Sequence, residues 1–292
     1  MVYQLGEVIR KIRHSKRYTQ KYVAGDEMQR TTYAKIEACK MQPTVGKFLH
    51  ILEMLDITFE EFYYIKNMYT FTGKEEIIHD FFQISTNVEV AKFTILKEKC
   101  EHYLAYHFDS IVSDILAVSK ALILILSENN YKQAFPLADK VWQRLSKLEN
   151  WYSIELKLLN NILFLFPPSV GLSIAQRSLR EIERLASVND TSALKPAYLI
   201  NITLLLLNDG QFAEAYSYAG QAIDACHALK RYDLISVAFM RKGIALINIG
   251  KKERGSFCLQ KSIQICDALS LTQMKEAICK EISEKTDFVL TL

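Results

Sequence analysis

Residues 18–39 read YTQKYVAGDEMQRTTYAKIEAC. The stretch has the pattern of two short helices with a tight break between them. Thr19 is a good N-cap for the first, because its hydroxyl can accept from an otherwise unsatisfied backbone N–H, and Gln20 sits in the first turn. Val23 and Ala24 face inward, and Ala24-Gly25-Asp26 supplies the small, flexible residues of a sharp turn. The second helix is expected from about Gln29 to Ala38, with Tyr33 and Ile36 toward a core. Arg30, Thr31, Thr32 and Lys35 then point outward, on a face that can donate hydrogen bonds and carries no acid. An exposed helix of that kind, propped on a short one, has the geometry that enters a DNA major groove.

The totals fit this reading. The chain has 292 residues, half of them apolar and about a quarter charged, enough for one large domain or two ordinary ones. Five prolines and ten glycines are few for strands joined by tight turns, so an all-α chain is favoured. The net charge of +3 is unevenly placed: residues 1–66 hold 11 Lys/Arg against 8 Asp/Glu, and the remainder holds 25 of each. The positive excess lies with the candidate reading helix and points to nucleic acid. The six cysteines, at 39, 100, 226, 258, 266 and 279, form no CxxC pair and have no His at zinc spacing, so no metal site is expected. They read as mostly buried thiols of a reduced, cytoplasmic protein, with an inter-subunit disulfide at Cys39 as the alternative. The N-terminus lacks the pattern of a signal peptide, and the longest apolar run, near 121–126, is too short for a bilayer.

Leu5, Val8, Ile9 and Ile12 recur at helical spacing ahead of this stretch. Behind it, Pro43-Thr44 opens a helix to about Leu55, and Thr58 caps a short one carrying Phe59, Phe62 and Tyr63. Taken in order, LGEVIRKIR, TQKYVA, the Thr/Arg-rich helix ending KIEAC, and ITFEEFYYI resemble the lambda-repressor-like, XRE-type helix-turn-helix domain over residues 3–65. The resemblance implies that Gln20 meets a phosphate and that Gln29, Arg30, Thr31, Thr32 and Lys35 face base edges or nearby phosphates. Lys40 would lie beside the DNA backbone, and Arg13 and Glu37 would form an internal ion pair. The chain departs from that family at Ala38-Cys39, where a glycine is common, and at Gln29, where Ser or Thr is frequent.

A break at Thr72-Gly73 separates this domain from a repeat region. Four segments align on a small residue, at Ala134, Ala175, Ala215 and Gly255, in steps of 40 or 41 residues, and the last two share Gly210/Gly250, Ile223/Ile263 and Cys226/Cys266. The form G-x-F-x-E-A with small residues one turn apart resembles the tetratricopeptide repeat with a longer period. It implies a right-handed superhelix of helix pairs whose first helices line a concave face. The expected organisation is a DNA-binding domain at 1–66, a linker with the first repeat-domain helices at 67–109, repeats for peptide binding and dimerisation at 110–270, and a capping helix at 271–292, from about Leu271 to Val289.

On the first helices, placed near 110–127, 152–166, 194–208 and 233–249, one register reads Lys120, Asn161, Asn201, Arg241 in strongly apolar surroundings. Buried amides left unpaired cost about 1–3 kcal/mol each, so these groups need partners. Either they clamp an extended peptide, whose side chains would meet Phe164, Tyr198 and Leu205, or they satisfy one another and loop carbonyls. Asn160 and Asn161 are adjacent, and only one is expected to face inward. An XRE domain followed by such repeats resembles the Rgg-like and PlcR/PrgX-like regulators of Gram-positive bacteria, which respond to short intercellular signalling peptides in quorum sensing. The resemblance implies a homodimer on a near-palindromic double-stranded DNA operator, controlled by a short hydrophobic peptide. No phosphate-cradling loop, nucleophile elbow or HExxH occurs, so neither an enzyme nor a cofactor is expected, and no membrane partner. The competing readings are a repeat-type scaffold that inhibits a partner protein, and a DNA-binding regulator with no peptide ligand.

Overall fold

In a computed structural model that describes residues 3–84, 86, 88–186 and 190–287, every regular element is helical. The chain divides into two compact units, 1–76 and 77–292. Five helices build the first unit: α1 (Leu5–Ser15), α2 (Gln20–Ala24), α3 (Arg30–Glu37), α4 (Val45–Met54) and α5 (Phe59–Lys66). Threonines start three of them. Thr19 accepts from Tyr22 N–H at 3.1 Å, Thr44 from Lys47 N–H at 3.4 Å, and Thr58 from Glu61 N–H at 3.1 Å while Glu61 answers the Thr58 N–H. Val8, Ile9, Val23, Tyr33, Ile36, Ile51, Leu55 and Phe62 form one core. Burial of these side chains supplies most of this unit's stability, at roughly 1.5–3 kcal/mol for each large one.

Two backbone positions fix how α2 and α3 leave their turns. Gly25 has φ +56° and ψ −146°, a conformation open only to glycine, and a Cβ there would come within 3.1 Å of the His50 ring. That ring lies 3.0 Å from the Ala24 carbonyl oxygen. Cys39 holds the left-handed position after α3 with φ +57°. Its N–H bonds to Ile36 O, and the Lys40 N–H bonds to Lys35 O, so the helix closes with a Schellman motif. The site where the sequence departs from the glycine preference is therefore one where an L-residue is strained.

The division between units falls inside α6 (Lys74–Gln83). The second unit continues with α7 (Val90–Leu104), α8 (Ser110–Glu128), α9 (Tyr131–Leu145), α10 (Ser153–Ile162), α11 (Pro168–Leu185), α12 (Lys195–Asn208), α13 (Phe212–Ala228), α14 (Tyr232–Asn248), α15 (Lys252–Ala268) and α16 (Thr272–Lys285). Consecutive helices pack in pairs, α8 on α9, α12 on α13 and α14 on α15. Ala134, Ala175, Ala215 and Gly255 are all buried, where the aligned small residues were expected. The reason is plainest at Gly255, where a Cβ would stand 2.6 Å from Ile247 and 2.9 Å from Gly243 O, so the backbones of α14 and α15 nearly touch. The repeated Gly210 and Gly250 are the left-handed residues that end α12 and α14, with φ +73° and +84°.

Three details differ from the sequence expectation. α10 stops at Ile162 and tightens into a 3-10 turn over Leu163–Leu165, because Phe166 precedes Pro167 and Pro168 and must be extended. α16 ends at Lys285, and Val289 lies outside the described residues. α8 is long and apolar enough to cross a membrane by length and composition alone. It instead buries Val112, Ile115, Val118, Ala121 and Leu122 against its neighbours, and its Asp114 accepts from Arg144 Nε at 2.6 Å. It is the core helix of the first repeat.

Candidate functional site

In the first unit α2 and α3 pack against each other, and α3 turns an open face to solvent. Gln29, Arg30, Thr31, Lys35 and Lys40 are exposed and Thr32 is half-buried. Gln29 is the N-cap of α3 and not its first helical residue. The only acid of α3, Glu37, faces inward. It accepts from Arg13 Nε at 2.6 Å, from Arg13 Nη2 at 3.1 Å and from Gln20 Nε2 at 2.9 Å. Arg13 Nη1 also donates to Tyr18 O at 2.7 Å. The implied Arg13–Glu37 pair is thus present, and it joins α1, α2 and α3 at one point. Burial would raise the Glu37 carboxyl, but the hydrogen bonds from Arg13 and Gln20, with the Arg13 charge, outweigh that and hold it below its ordinary value. Burial and the same carboxylate push the Tyr33 phenol well above its usual range, so it stays neutral.

Gln20 gives one amide N–H to Glu37, which leaves its second N–H for the implied phosphate contact. The exposed Lys21 stands beside it in the first turn of α2. Chemically the α3 face offers amide, hydroxyl, guanidinium and ammonium donors with no competing carboxylate.

The second unit holds a cavity of about 240 Å³ lined by α10, α12, α14 and α16, with Thr86 and Val88 at its edge. Asn161, Asn201 and Arg241 of the register line it together, joined by Lys157, Asn160 and Glu281. They also bond in sequence across the helices. Asn161 Nδ2 donates to Lys157 O at 2.7 Å within α10. Asn201 Nδ2 donates to Asn160 O at 3.0 Å and Asn160 Oδ1 at 3.1 Å. Arg241 Nη1 donates to Ile200 O at 2.8 Å, and its Nε and Nη2 grip both oxygens of Glu281 at 2.9 and 3.1 Å. The three groups thus find partners in helix carbonyls, Asn160 and Glu281 and not in one another, and they face a cavity.

Four placements correct the sequence reading. Lys120 is not in the cavity, because it pairs with Glu101 on α7 at 2.7 Å. Tyr198 is fully buried and donates to Leu156 O at 2.7 Å, so it is core. Leu205 is core as well, packed where Gly171 leaves room, and Phe164 lies half-buried against the same core. Asn160 and Asn161 both line the cavity, because residues 155–162 of α10 are buried on every side and one flank meets α12. Glu281 and Lys157 were missed. Glu281 was within reach of the sequence, since it stands 40 residues after Arg241. Lys157 stands one turn before Asn161 on the same face, but its register continues as Ala197, Val237 and Ala277, so no polar recurrence marked it.

Comparison with known proteins agrees with this architecture. The C-terminal domain of the HTH-type transcriptional regulator Rgg matches residues 97–280. No curated protein sequence matches the chain. A proposed transcriptional regulator from Listeria monocytogenes EGD-e superposes with a TM-score of 0.73 at 20% identity, covering 98% of this chain and 99% of that one. Bacillus thuringiensis PlcR, in complex with the peptide PapR7 and DNA, gives 0.69 at 16% identity over 94% and 98%. The Streptococcus dysgalactiae SHP pheromone receptor Rgg2 gives 0.67 at 16% identity over 97% and 100%. At these identities the likeness speaks for the fold, whereas the domain match covers more than half of the chain: the protein belongs to the Rgg family of HTH-type transcriptional regulators.

Proposed function

We propose that this regulator acts as a homodimer, reads a near-palindromic operator through α3, and changes its DNA affinity when a short hydrophobic peptide occupies the cavity of the second unit. The observation that carries this reading is the exposed, acid-free face of α3, whose only carboxylate is turned inward and neutralised by Arg13. Arg30, Thr31 and Lys35 read base edges, with Gln29 and Thr32 beside them, and Lys40 contacts a phosphate. Gln20 holds Glu37 with one amide N–H and offers the other to a phosphate. Two heads per dimer match two half-sites one helical turn or a multiple apart. The polar row Asn161, Asn201 and Arg241 offers the cavity's ligand amide and guanidinium groups. A ligand that binds two states of this unit unequally shifts the equilibrium between them by that difference in affinity.

Selection of duplexes from a random DNA pool by the full chain, followed by titration against salt, tests the reading. The expected result is a two-fold-related motif whose affinity falls steeply with salt, with a slope that drops by about 0.9 for each phosphate-contacting cation removed, such as Lys40→Ala. Binding that shows neither sequence preference nor salt dependence refutes it. Asn201→Ala and Arg241→Ala should abolish the peptide response and leave the DNA motif unchanged.

A further inference from the structure

Within the cavity the charges do not balance. Arg241 and Lys157 are the cations and Glu281 the anion among the described lining residues. Arg241 is neutralised in place, both forks of its guanidinium being taken by Glu281 and its remaining arm by Ile200 O. Lys157 is not. It is only 8% exposed, and its ammonium makes one hydrogen bond, to Ile84 O at 2.6 Å. The Phe81 ring lies 5.8 Å away, which softens the charge without cancelling it. Among the described residues no carboxylate pairs with it. Asp233 exerts a weaker pull from further off, and that carboxylate is already held by Arg231 at 2.9 and 2.7 Å. An ammonium has three donors, so two remain. A buried cation without a counter-ion is expensive, so an anion that reaches it is favoured.

On the reading that this cavity takes a peptide, we propose that Lys157 Nζ anchors a carboxylate of that peptide, either its own C-terminus or an Asp or Glu side chain. The neighbouring Asn160 amide nitrogen, which donates to no described residue, adds a second contact to the same anion. The ligand class narrows from a hydrophobic peptide to one whose carboxylate meets α10, with its apolar residues against Ile200, Leu234, Val237 and Met274. Burial, with Arg231 adding to it, pushes the Lys157 ammonium down to about 8, the behaviour of a cation that still lacks its anion.

Four pools of random synthetic octapeptides, otherwise alike, test this on the full chain by affinity selection and mass spectrometry. They are free acids or C-terminal amides, each with or without Asp and Glu. Wild type should retain carboxylate-bearing peptides at least about tenfold over the amidated, acid-free pool, and comparing the free-acid pool with the amidated acidic pool shows which carboxylate serves. In Lys157→Gln that preference should fall below about twofold while peptides are still retained, and Lys157→Arg should keep it. Circular dichroism checks that both variants fold. Equal retention of the acid-free amides, or an undiminished preference in Lys157→Gln, overturns the carboxylate anchor but leaves peptide binding standing. Retention of no peptide by wild type overturns both.

Discussion

Glu37→Gln should loosen the first unit far more than a surface change would. Three donors converge on this carboxylate, two from Arg13 and one from Gln20, and its side chain is 3% exposed. Removing one member of a buried ion pair costs about 3–5 kcal/mol, because the other charge stays buried without a partner. Glutamine keeps the shape and one acceptor oxygen, so the low end applies, roughly 3 kcal/mol. A unit of this size has on the order of 4–11 kcal/mol in total, so the loss is a large share of it. Local opening should rise about a hundredfold, read as faster amide hydrogen exchange in α1 and α3. Both tryptophans, Trp142 and Trp151, lie in the second unit, so the urea transition seen by tryptophan fluorescence should not move. The apolar pair Arg13→Met with Glu37→Leu should recover about 2 kcal/mol of the loss. A rise of less than fivefold for Glu37→Gln refutes the reasoning, as does a double variant worse than the single. Acid supplies an independent reading. Because the folded Glu37 carboxyl is held below its unfolded value, its contribution is complete above the unfolded pKa, near 4.3. It is lost as pH falls through the lower folded value, and Glu37→Gln should lack that component of the acid sensitivity.

Other substitutions follow from the same geometry. Gly6→Ala would set a Cβ 2.1 Å from Ile36 O and 2.9 Å from Glu37 O, driving α1 off α3. DNA binding and exchange protection in the first unit should both collapse, at a cost of about 3 kcal/mol or more, and near-wild-type protection would contradict the close approach. Cys39→Gly relieves a left-handed residue and should stabilise the first unit by up to about 1 kcal/mol, measured as slower exchange in α3; a loss would show that the thiol matters more than the backbone. Lys157→Met removes a buried cation and should stabilise the second unit by roughly 2 kcal/mol at pH 7, after about 1 kcal/mol is lost with the Ile84 hydrogen bond. The folded ammonium titrates near 8 and the unfolded one near 10.4, so wild type gains stability as pH rises through that window and the advantage of Lys157→Met shrinks. Urea melts followed by tryptophan fluorescence at pH 7 and pH 10 read both parts, and an advantage that does not change with pH counts against it.

What the sequence determined by itself was local and periodic. Thr19, Thr44 and Thr58 mark helix starts because a cap is a contact within four residues. The 40-residue recurrence of Ala134, Ala175, Ala215 and Gly255 marks helix crossings, because close packing admits only small side chains there. The register of Asn161, Asn201 and Arg241 followed from the same period, and carried one step further it leads to Glu281. The tertiary structure decided what each polar group does. Gln20 turns inward because Glu37 lies within 2.9 Å, a distance set by how α2 and α3 pack. Tyr198 and Leu205 share their helix with Asn201, yet the turn of α12 sends them into the core. Lys157 shares its 40-residue register with Ala197, Val237 and Ala277, and only the meeting of α10 with the Ile84 carbonyl and the cavity wall makes it a buried, unpaired charge. Periodicity assigns a residue to a face, but the partner across that face comes from a distant part of the chain, which no local pattern encodes.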